Sequence, residues 1–60
     1  MDSEEHQHLE ELLQANLRRL RPLEKQKAQF GAHTDPAVIT EIEDLQQEIF
    51  RLKNKLGISN

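Results

Sequence analysis

A seven-residue apolar rhythm runs through both halves of this chain and meets at one Gly/Pro-rich turn. In the second half Val38, Ile42, Leu45, Ile49, Leu52 and Leu56 step by four and three without a break. In the first half Leu9, Leu13, Leu20, Leu23 and Phe30 keep the same step, with Asn16 and Lys27 in two of the slots. Alternation of four and three places side chains along one narrow stripe of an α-helix, the stripe that buries itself against another helix. Two such helices joined by a short connection fold back on each other. The expected fold is all-α: an antiparallel, coiled-coil-like helical hairpin. The named positions form its core.

The local signals place the ends. Asp2 or Ser3 caps the first helix, with Glu4 and Glu5 at the positive end of its dipole. The first helix is expected over about 3–30, with a kink near Pro22. That proline lacks an amide donor and crowds the carbonyl of Arg18. The competing reading starts a separate helix at Pro22. Gly31 suits a left-handed residue past a helix end, and residues 31–35 make the turn. Asp35-Pro36 reads as an N-cap followed by proline at the first helical position. The second helix is expected over about 36–56, with Arg51, Lys53 and Lys55 near its negative end and Gly57 as its stop. Residues 1–60 thus form a single interaction domain.

The two rhythms register on each other. Folding at the turn gives the layers Leu9–Leu56, Leu13–Leu52, Asn16–Ile49, Leu20–Leu45, Leu23–Ile42 and Lys27–Val38. Charge blocks follow: the acids of 2–11 face the bases of 51–55, and the bases of 18–27 face the acids of 35–48. Flanking the seam, Arg19 is expected to meet Glu48 and Glu10 to meet Lys53. Such exposed pairs favour one orientation more than they add stability.

A chain of 60 residues with no cysteine has neither a disulfide framework nor a thiolate metal site, and mini-domains of this size usually gain stability by association. Leu17, Ile39 and Phe50 lie beside the seam on one side of the hairpin, and Leu12 lies beside it on the other. These four are the candidate interaction surface. The expected partner is a protein, either a second copy or a similar hairpin, giving a homodimer arranged as a four-helix bundle.

Other chemistry finds little support. His6 and His8 fall on different helix faces and His33 lies in the turn, without the i, i+4 histidine pair of a helical metal site. No phosphate-cradling glycine loop or nucleophile–base set is present, so no catalytic, cofactor or metal residue is assigned, and an enzyme is not expected. A net charge of −3 disfavours nucleic acid. The basic cluster Arg18, Arg19, Arg21, Lys25 and Lys27 reads as neutralised by Glu41, Glu43, Asp44 and Glu48, since no aromatic interleaves it to stack bases. No run reaches the ~18 apolar residues of a membrane span. A cytoplasmic location fits. Ending at Gly57-Ile58-Ser59-Asn60 reads as a domain edge, which leads to the expectation of a longer protein.

The run Leu12-Leu13-Gln14-Ala15-Asn16-Leu17-Arg18-Arg19-Leu20, then Leu23 to Gly31, Pro36 to Leu45 and Glu48-Ile49-Phe50-Arg51-Leu52, resembles a known class of module. These are the short helical hairpins at the N-termini of bacterial conflict and signalling proteins, the effector-associated, death-like adaptor domains. The resemblance covers about residues 9–56. It implies an adaptor ahead of a protease, nuclease, TIR or NTPase module, coupling that effector to a partner through like-with-like helix packing. The other reading of the residues is a structural spacer hairpin that caps a neighbouring domain.

Overall fold

The computed structural model describes residues 3–58. They form two helices: α1, Ser3–Phe30, and α2, Pro36–Leu56. A single 3-10 turn, Gly31–His33, connects them. The helices lie against each other as an antiparallel hairpin 44 Å long and about 17 Å across. The Asp2 cap lies outside the described residues.

The helix ends follow from their residues. Gly31 takes φ 53° and turns the chain out of α1. A Cβ at this position would touch nothing within 4 Å, so the demand for glycine comes from the backbone and not from crowding. Thr34 and Asp35 are extended, as expected ahead of a proline. Asp35 then caps α2, its Oδ1 accepting from the Ala37 amide at 2.9 Å. At the other end Gly57 has φ 77°, its amide donates to the Asn54 carbonyl, and the Ile58 amide donates to the Lys53 carbonyl. Those two bonds make a Schellman motif and satisfy carbonyls that the helix itself leaves open.

Pro22 lies inside one continuous helix. It is exposed, while Leu20 is buried and Leu23 half-buried on either side of it. Packing on both sides of the proline holds the helical phase through the missing backbone bond.

Among the described residues seven buried apolar side chains form the core: Leu9, Leu13 and Leu20 from α1, and Ile42, Leu45, Ile49 and Leu52 from α2. Leu52 has no exposed surface. Each such side chain contributes ~1.5–3 kcal/mol by leaving water. Leu23, Val38 and Leu56 pack against this cluster while half-buried, as expected near the ends of a two-helix seam.

Phe30 departs from the expectation. It is 50% exposed and not part of the core. As the last residue of α1 it lies opposite the turn and not opposite α2, which begins only at Pro36. Thr34 is the buried residue at that end, 7% exposed. Its hydroxyl donates to the Gly31 carbonyl at 2.6 Å and lies 3.4 Å from the Lys27 carbonyl, and its amide also reaches Gly31. One small polar residue thus closes the end of α1 and fills the space beneath it. Lys27, assigned to a seam layer, is exposed, and its carbonyl faces the Thr34 hydroxyl.

Candidate interaction surface

The two flanks of the seam differ in chemistry. Leu17 follows Asn16 and Ile39 follows Val38, so both stand one step off the stripe in the same direction. Phe50 follows Ile49 and stands next in that direction. Leu12 precedes Leu13 and belongs to the opposite flank. Helical spacing therefore groups Leu17, Ile39 and Phe50 and leaves Leu12 apart.

Exposure separates the members of the apolar flank. Phe50 is 63% exposed, the most open large apolar side chain described. Ile39 is half-buried. Leu17 is also half-buried and packs against the hairpin core, so it belongs partly to the fold and not solely to the surface. Farther toward the turn the same flank carries a shallow groove lined by Glu24, Lys27, Ala28, Ile42 and Gln46, with Gly31 at its end. The small Ala28 opens it. A single alanine at a flanking position is the sequence signal for this groove.

The opposite flank is polar. Arg19 donates from Nε to Glu41 Oε1 at 2.6 Å and contacts the same oxygen through a terminal nitrogen. This corrects the expected Arg19–Glu48 pair. Glu48 is already held by Arg51 on its own helix, at 3.0 Å from Nε to Oε2 and by a second contact from the terminal nitrogen. A bidentate partner three residues away outcompetes one that must reach across the seam. Hydrogen bonding to Arg51 keeps the Glu48 carboxyl below the usual carboxylate range and raises Arg51 in turn. Leu12, 38% exposed, sits as an isolated apolar side chain on this flank.

Two further sequence expectations change. Glu10 does not pair with Lys53; its carboxylate lies 3.6 Å from His6 Nε2, one turn back on α1. The basic cluster is not neutralised as a block. Among the described residues Arg19 has its acidic partner, whereas Arg18, Arg21, Lys25 and Lys27 form no ion pair. Asn16, the polar residue in the stripe, is half-buried and donates to the Leu12 carbonyl at 2.9 Å, so its own helix satisfies it.

Among the described residues no three His, Cys, Asp or Glu side chains gather as a metal site, and no helix is long and apolar enough to cross a membrane. A wider depression lies at the open end of the hairpin. There Ser3, His6, Gln7 and Glu10 of α1 face Asn54, Lys55, Leu56 and Gly57 of α2. It is wide and open to solvent, with His6 and Leu56 half-buried at its base.

No family model, curated protein or solved structure matches this chain.

Proposed function

We propose that this chain is a non-enzymatic protein–protein interaction and oligomerisation module that pairs with a second copy of itself. The cytoplasm is its proposed location. In this reading it serves as the adaptor part of a larger signalling or defence protein, in line with its resemblance to effector-associated hairpins. The observation that carries the proposal is Phe50, 63% exposed on the flank that also presents Ile39 and part of Leu17. A two-helix hairpin gains nothing within itself from a large aromatic held in water. The same ring becomes an anchor once a partner covers it. The small core supports the reading, since seven buried side chains are few for an independent domain.

Sedimentation equilibrium across concentration tests this. Wild type should approach twice the chain mass, and Phe50→Glu should fall to the single-chain mass while keeping its helical circular dichroism. A wild-type chain that stays monomeric at high concentration rejects self-association and favours a spacer docked on a neighbouring domain. A Phe50→Glu variant that stays dimeric moves the interface away from this flank.

A further inference from the structure

Resting on that reading of the flank, we propose that two copies pair about a two-fold axis parallel to the long axis of the hairpin. α1 of each copy then lies antiparallel against α2 of the other, and the four helices form one bundle.

The argument starts from level along the axis. Within the hairpin, Glu24 shares the flank groove with Ile42, and Glu10 shares the open-end groove with Asn54 and Leu56. These facts agree with the layers that set Leu20 beside Leu45 and Leu13 beside Leu52. A two-fold axis along the hairpin leaves every level unchanged. Each residue on the outer flank of α1 therefore meets the α2 residue of its own level on the second copy.

Complementary pairs recur at equal level, with Glu24 the exception, since it falls opposite Glu43 beside Arg21. Glu10 meets Lys53 of the second copy. Gln14 and Leu17 meet its Phe50. Arg21 meets its Glu43, and Ala28, the small residue of the groove, meets its Ile39. Symmetry repeats every pair, as an isologous interface requires. The side chains of Arg21, Glu43 and Lys53 form no ion pair within the described hairpin, so they are available to this partner. Glu10 has only the 3.6 Å approach of His6.

The other face-to-face arrangement places the two-fold axis across the hairpin and sets α1 against α1. Centred on Phe50, it pairs Glu10 with Arg21. It leaves Glu43 and Lys53 opposite uncharged residues, and it carries Ile39 beyond Ile58. The axis along the hairpin covers all three apolar side chains and matches Glu10 with Lys53 and Arg21 with Glu43, against one like-charge approach of Glu24 to Glu43. The face runs along the 44 Å length of the hairpin.

Charge reversal tests the geometry on the full chain. Arg21→Glu alone sets two Glu–Glu pairs across the interface, and Glu43→Arg alone sets two Arg–Arg pairs. Each variant by itself should dimerise roughly tenfold more weakly than wild type, because two attractions become two repulsions. Mixed in equal amounts, the two variants restore both pairs in a heterodimer, and the mean mass should rise toward that of the dimer. If wild type is dimeric and mixing leaves the mass unchanged, this arrangement is overturned while self-association stands. If wild type is monomeric, the proposal and the reading on which it rests both fall.

Discussion

Arg19 of α1 reaches across the seam to Glu41 of α2, with Nε 2.6 Å from Oε1, and passes over Glu48 on the same flank. Glu48 is committed to Arg51. One local pair thus determines which long-range pair forms. The coupling between Arg19 and Glu41 should be measurable but small, about 0.2–1 kcal/mol, because both side chains meet water. A double-mutant cycle of Arg19→Ala and Glu41→Ala by thermal or urea unfolding should give that value. The parallel cycle of Arg19→Ala with Glu48→Ala should give a coupling near zero, and a larger coupling to Glu48 would contradict the observed pairing.

Thr34 should matter more than its place in a turn suggests. It is buried, and its hydroxyl donates to the Gly31 carbonyl at 2.6 Å. Thr34→Val keeps the shape but removes the donor, and should cost about 0.5–1.5 kcal/mol. Thr34→Ser keeps the hydroxyl and loses a methyl group, so it separates bonding from packing. Urea denaturation of the two variants checks the order; a Thr34→Val protein as stable as wild type would show that the hydrogen bond contributes nothing net.

Leu52 and Phe30 should behave in opposite ways despite occupying the same apolar rhythm. Leu52→Ala empties a fully buried site and should cost about 2–5 kcal/mol. In a domain this small that loss should leave the chain largely unfolded at room temperature. Phe30→Ala removes a half-exposed ring at a helix end and should shift the melting temperature far less. Circular dichroism melts of both variants decide the matter, and equal losses would place Phe30 in the core after all.

The Glu48–Arg51 pair predicts a pH dependence of definite sign. Hydrogen bonding to Arg51, aided by the nearby charges of Arg51 and Lys55, lowers the folded-state pKa of Glu48 against a smaller opposing effect of burial. A carboxylate lowered on folding stabilises the fold above its unfolded-state pKa. That contribution is lost as pH falls through the lower, folded value. NMR titration should find Glu48 titrating below an ordinary glutamate, and Arg51→Ala should return it toward the ordinary range. A Glu48 shift that survives Arg51→Ala would reject the hydrogen bond to Arg51 as its cause.

Much of the fold was legible before the structure. The four-three spacing defined one buried stripe on each helix, and Gly31, Asp35-Pro36 and Gly57 marked where the helices stop and start. These signals act over a few residues, so spacing and residue type suffice to read them. Asp35 as a cap and Gly57 as a left-handed stop are local backbone matters. Exposed Phe50 followed from its place one step off the stripe.

Other features depended on distances that no spacing encodes. The stripe includes Phe30 but does not tell that α2 begins too late to cover it. The turn residues do not announce that Thr34 will fold inward and close the end of α1. Leu17 lies off the stripe, yet the near approach of the helices draws it against the core. Of the facing charge blocks the sequence implies, Arg19–Glu41 forms an ion pair between the helices among the described residues, and the choice of Glu41 over Glu48 rests on the reach of two flexible arginines and on which acid is already taken. Sequence alone determined the hairpin and the buried stripe of each helix, because a helix fixes the direction of each side chain from its own backbone. Tertiary structure decided the contents of the turn and the partners of each charge, because those depend on how two separately formed helices end and how closely they approach.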